Sequence, residues 1–188
     1  YLKLIKGSEE EFKDTKVEDL EKMSRMDTIM HELSHYVYVD GTPESVKLGP
    51  QPLVAIDEIK AELVYRALMP ELVEKGGLKG SLKQWAMATL TIPLQTLNSF
   101  DPDEYFEAAV YTLNELFEKK IVSFDGQQIA IHKTEEMFKV FKSKAKEVIR
   151  LYEDKKTTEE IARKWLVDNT VAGPALQEVI DFVKAKKD

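Results

Sequence analysis

The chain contains no cysteine. That absence excludes a disulfide framework, thiolate zinc ligands and a cysteine nucleophile. No apolar run approaches the ~20 residues needed to cross a bilayer, so neither a transmembrane helix nor a membrane partner is expected. Basic residues are outnumbered, 27 Lys and Arg against 34 Asp and Glu, for a net charge of −7. A general nucleic-acid binder needs a basic face to neutralise phosphates, and the charge balance argues against that class too. Histidine is scarce, with three in the whole chain. No export signal is legible, which gives a cytoplasmic expectation, and the chain opens at Tyr1 without an initiator Met, as a segment of a longer protein does.

What is present suits one globular domain: 188 residues, 43% hydrophobic and 32% charged. Residues 8–39 read as a helix, charged at first and apolar toward its end. Turn formers crowd residues 40–52, so a loop is expected there. A second helix runs from Leu53 to about Lys75, with Pro70 a kink or break (its uninterrupted part is 53–69) and Gly76-Gly77 a stop. Ser81 can cap a helix to about Phe100, bent by Pro93, and Asp101-Pro102-Asp103-Glu104 opens another that ends near Lys120. Residues 121–131, with the turn Asp125-Gly126, read as a short β-hairpin. The C-terminal part, about 133–186, reads as helices over 134–153, over 158–167 capped by Thr157, and from Gly173-Pro174 to about Ala185. The expected fold is mainly α with one hairpin.

One segment carries chemistry: His31-Glu32-Leu33-Ser34-His35. On a helix, two His four residues apart share a face and can reach one ion, while the intervening Glu can take a proton from water that the ion has acidified. With only three His available, two falling four apart with Glu between them is an improbable coincidence. This is the HExxH pattern of zinc peptidases. A catalytic zinc needs a third protein ligand and an open position. Asp57-Glu58-Ile59-Lys60-Ala61-Glu62, one loop downstream, supplies acids at helical spacing. Glu58 and Glu62 share a face, with Tyr65 near the same stripe, while Ile56, Ile59 and Leu63 form a separate apolar face. One acid would bind zinc and the other would hold a ligating imidazole. The competing reading is a solvated helix face with a Glu62–Arg66 ion pair.

An HExxH helix followed by a helix bearing Glu as third ligand resembles the gluzincin class. Asp57-Glu58-Ile59-Lys60-Ala61-Glu62 resembles the E-E-x-R-A-E motif of the dipeptidyl peptidase III (M49) family. The resemblance covers residues 27–66, with a five-residue HExxH where that family has a six-residue form, and with Asp57 and Lys60 in place of Glu and Arg. Family members are larger and carry a second lobe that this length lacks. The resemblance implies a zincin-like helical core, with zinc held by His31, His35 and Glu58, Glu62 steadying a His, and Glu32 as general base. His132 is a weaker candidate, as a donor to the oxyanion. Tyr36, Tyr38 and Tyr65 are further possible donors, whereas Trp85 and Met87 read as core.

The expected function is zinc-dependent hydrolysis of a peptide substrate by metal-activated water, with exo- or endopeptidase action and oligomeric state left open. The alternative is an inactive peptidase-like domain that binds zinc or peptide. A helical regulator with a fortuitous motif is the third reading and predicts no bound metal.

Overall fold

The computed structural model describes residues 1–39, 41–98 and 103–186. A 3-10 turn, Leu2–Leu4, precedes α1 (Ser8–Glu11), α2 (Val17–Ser34), α3 (Pro43–Val46), α4 (Pro50–Glu74), α5 (Leu82–Thr96) and α6 (Glu104–Glu118). Then come strands β1 (Val122–Phe124) and β2 (Ile129–Ile131), followed by α7 (Thr134–Glu153), α8 (Glu159–Asn169) and α9 (Pro174–Ala185). The fold is mainly α with one antiparallel hairpin, in register Val122↔Ile131 and Phe124↔Ile129. Among the described residues no helix is long and apolar enough to cross a membrane.

α4 is the axis of the molecule. Its buried residues, among them Ala55, Ile56, Ile59, Leu63, Tyr65 and Met69, lie around most of its circumference, as expected of a helix enclosed by others. It packs on α2, α5, α6, α7 and α8. Gly49 starts it at a positive φ of 78°, where a Cβ would lie 2.3 Å from the Glu159 side chain, so glycine suits both the backbone and the close approach. Pro50 follows at the first helical turn, where a missing N–H costs nothing.

Several boundaries differ from the sequence reading. The helix expected over 8–39 is two helices, α1 and α2, separated by residues 12–16. Phe12 is buried at the break, and Gln84 Nε2 donates to the Glu11 carbonyl (3.1 Å) and to Thr15 Oγ1 (3.3 Å), supplying contacts that a continuous helix would otherwise provide. The expected loop holds α3, capped by Thr42, and α4 begins three residues early, at Pro50. Asp40 lies outside the described residues. α4 continues through Pro70 to Glu74, and Gly76, at φ 71°, ends it. Ser81 and Gln84 form a capping box at the start of α5, which ends at Thr96. Asp103 caps α6 by accepting from Phe106 N, while Asp101 and Pro102 lie outside the described residues. Thr158, not Thr157, caps α8, accepting from Ile161 N; Thr157 is buried instead.

α2 is held by a narrow face. Met23, Asp27 and Ser34 are buried against the rest of the molecule, while Ile29 and Leu33 remain exposed on the far side. The HExxH helix therefore lies at the surface, with one edge against α4.

Candidate metal centre

α2 and α4 each present a polar stripe to the other. On α2, Asp27, His31 and His35 recur every four residues and so share a face. His35 closes the helix with helical angles, φ −62° and ψ −26°, so its one-turn relation to His31 persists. On α4, Glu58 and Glu62 recur at the same spacing, with Asp57 and Arg66 flanking them.

The ring nitrogens divide their partners cleanly. His31 Nε2 and His35 Nε2 lie 3.2 Å apart, an approach that places both beside one point. Glu58 completes the group, Oε2 lying 3.3 Å from His31 Nε2 and Oε1 lying 3.8 Å from His35 Nε2. The opposite nitrogens meet other acids. His31 Nδ1 lies 3.2 Å from Glu62 Oε1, and His35 Nδ1 is hydrogen-bonded to Asp57. Both Nδ1 atoms thus stand against carboxylates of α4, and both Nε2 atoms stand at the common point.

This donor set fits a zinc ion. Ligand atoms held tetrahedrally at ~2.0–2.1 Å stand about 3.3 Å from one another. The separations of 3.2, 3.3 and 3.8 Å lie close to that. Two imidazoles and a carboxylate are also a donor set of catalytic zinc, with carboxylate partners on the outer nitrogens. His31, His35 and Glu58 are the residues among those described whose donor atoms meet closely enough to hold a metal ion.

Behind each carboxylate stands a buried cation. Arg66 pairs with Glu62, one turn along α4, and its guanidinium lies against the Tyr65 and Phe141 rings. Lys60 pairs with Asp57 and also donates to the His35 carbonyl at 3.3 Å. Tyr152, from α7, donates to Asp57 Oδ1 at 3.3 Å. The ion pair that the sequence suggested between Glu62 and Arg66 is thus present, but buried and joined to His31 rather than solvated.

Electrostatics follow from this arrangement. Burial pulls the His31 pKa down, but hydrogen bonding to Glu58 and Glu62 outweighs it and raises the value to about 10 in the metal-free protein. Burial favours neutral Glu62, yet Arg66 and His31 hold its pKa below the ordinary value. Asp27, one turn before His31 and buried, is pushed up to about 6 by desolvation, with Arg66 pulling back.

Glu32 is exposed and lines a cleft of about 490 Å³ with His35, Tyr36, Val39, Val54, Asp57 and Glu58. The ligand group is therefore open on the side where Glu32 stands. Tyr105, in the first turn of α6, has its hydroxyl pKa raised by Glu58, then by burial and by Glu104 and Glu32, so α6 brings a phenol within electrostatic range of two of the three cleft carboxylates.

The structure brings together His31, Glu32, His35, Glu58 and Glu62, as the sequence reading expected. It does not bring His132 to them. That residue lies on the hairpin, 2.7 Å from Ser123 Oγ, and the hairpin packs on α6 and α9. Tyr65 is buried core, its ring 6.4 Å from the His31 ring. Tyr38 stacks on Tyr152 and donates to Glu153, whereas Tyr36 is exposed at the cleft. Trp85 and Met87 are buried, as expected. The sequence reading missed Asp57 as partner of His35, Lys60 and Arg66 as buried counter-charges, and Tyr105. The four-residue step from Asp27 to His31 was the one legible hint of a longer polar stripe.

No protein-family model matches the chain, and no curated protein and no solved structure is significantly similar to it.

Proposed function

We propose that this chain is a zinc-dependent peptidase domain, with His31, His35 and Glu58 as metal ligands and Glu32 as general base. The observation that carries the reading is the divided use of the imidazoles: both Nε2 atoms converge with Glu58, while His35 Nδ1 is hydrogen-bonded to Asp57 and His31 Nδ1 lies 3.2 Å from Glu62. A bound zinc ion supplies Lewis acidity, lowering the pKa of water toward ~7 and polarising a carbonyl. Glu62 and Asp57 fix the two rings, so the ligands need little reordering. Glu32 stands in the same cleft and is exposed to solvent, where its carboxylate can accept a proton from water and return it to the leaving amine. Proton transfer of this kind contributes roughly 10²–10⁴-fold to rate.

Glu32→Gln tests the assignment. The variant is expected to retain zinc and lose peptide hydrolysis by two orders of magnitude or more; activity near wild type would contradict the role of Glu32. A second reading, a peptidase-like domain that binds zinc or peptide without cutting, is favoured by the outer side of α2, where Ile29 and Leu33 are exposed among the described residues. It predicts zinc and peptide binding with no turnover.

A further inference from the structure

The cleft beside the ligands has a mixed lining. Glu32, His35, Asp57 and Glu58 are its polar residues, and Tyr36, Val39 and Val54 its apolar ones. All three apolar residues face solvent, Tyr36 at 75%, Val54 at 50% and Val39 at 45% exposure. A single exposed valine needs no explanation, but three large apolar side chains around one cleft with convergent polar groups have the make-up of a ligand site. A volume of about 490 Å³ falls within the range of sites for small ligands and short chain segments.

The backbone explains how they meet. Val54 lies one turn before Glu58 on α4 and so flanks the ligand carboxylate on the same face. Tyr36 follows one turn after Glu32, in a tail still wound by the Tyr36 N–H to the Leu33 carbonyl (3.2 Å). Tyr38 then takes a left-handed φ of 58°, uncommon for a non-glycine residue. It is held there by stacking on Tyr152 (5.4 Å between ring centres) and by its hydroxyl donating to Glu153 at 2.8 Å. That turn carries Val39 to the rim of the cleft.

We propose that Tyr36, Val39 and Val54 form a specificity subsite for a large apolar side chain of an extended peptide, at a residue flanking the bond presented to Glu32. The inference rests on the peptidase reading and names its substrate class. An acidic side chain is disfavoured at the same place, because Glu32, Asp57 and Glu58 line the same cleft.

The test uses quenched peptides varied at the two residues around the central bond, with zinc-loaded protein. Leu or Phe at one of the two positions is expected to give kcat/KM at least about tenfold above Gly or Asp. Val54→Lys and Val39→Lys, both at exposed positions, are expected to retain zinc and erase that preference or turn it toward Asp. Binding of the same peptides to Glu32→Gln, read by fluorescence anisotropy, should show the same order of affinity without turnover. Cleavage with no preference, or a preference that both Lys variants leave unaltered, overturns the subsite while the peptidase reading stands. Binding to Glu32→Gln with the apolar preference, but no cleavage of any peptide by the wild type, upholds the subsite and overturns the peptidase reading. Neither binding nor cleavage overturns both.

Discussion

His31 and His35 are held by the same device at two depths. Each presents Nε2 to the common point and Nδ1 to a carboxylate of α4, and each carboxylate is backed by a buried cation of the same helix. The His31 side chain is 13% exposed, and its arm ends at Arg66 among aromatic rings. The His35 side chain is 26% exposed at the cleft, and its arm is tied by Lys60 and Tyr152 to a backbone carbonyl and to α7. The difference teaches where charge can be lost cheaply. In the deep arm every member depends on the next for its charge, because water cannot replace a partner. In the shallow arm, a backbone carbonyl also receives Lys60, and solvent reaches His35.

The largest expected effect is therefore in the deep arm. Glu62→Gln removes the buried anion that Arg66 and His31 share and is expected to cost about 3–5 kcal/mol of stability in urea unfolding of the EDTA-treated protein. The same variant should also weaken zinc binding. A loss below about 1 kcal/mol would erase the distinction between the arms.

Asp27 sharpens the comparison through pH. Its pKa, raised from 3.8 to about 6 by burial, means the folded state binds this proton more tightly than the unfolded state. The stability linked to that proton is complete below about pH 4 and is lost as pH rises through 6. Asp27→Asn removes the titration. Its stability relative to wild type should therefore rise by on the order of 2–3 kcal/mol between pH 4 and pH 8, measured by denaturant unfolding at each pH. A difference that stays flat with pH contradicts the deep arm's electrostatics.

Asp57→Asn probes the shallow arm. Zinc affinity is expected to fall roughly 10–100-fold, as for other partners of ligating histidines, read by competition with a chelating dye. Its stability cost should stay well below that of Glu62→Gln, since Lys60 retains the His35 carbonyl. The smallest effect is expected from Tyr152→Phe, which removes one hydrogen bond to Asp57. It should cost about 0.5–1.5 kcal/mol in thermal or urea unfolding and change zinc affinity less than Asp57→Asn does.

What could be read from the sequence was what lies along one helix. The His31–His35 and Glu58–Glu62 steps, the Ser81 cap, the hairpin and the mainly helical class all follow from local spacing. The partners of those residues depend on how α2 meets α4, which local spacing does not encode. Asp57 lies next to Glu58 in the chain yet serves the other histidine, and Tyr152 reaches it across 95 residues. Lys60 and Arg66 had no buried role in the sequence reading, because such residues are seldom fully buried, whereas here both are enclosed with their acids. The break between α1 and α2 was hidden for the same reason. Its stabilising donor, Gln84, comes from α5, about seventy residues away. His132 illustrates the converse: residue type alone proposed it, and the fold pairs it with Ser123 on the hairpin.

The central claim is that His31, His35 and Glu58 hold a metal ion, and elemental analysis of the purified protein tests it most directly. Wild type is expected to carry about one zinc per chain, as a three-ligand catalytic site does, and Glu58→Ala is expected to lose it or hold it far more weakly. No zinc in the wild type, even after reconstitution with excess metal, would contradict the account and leave the two imidazoles as an ordinary buried ion-pair cluster.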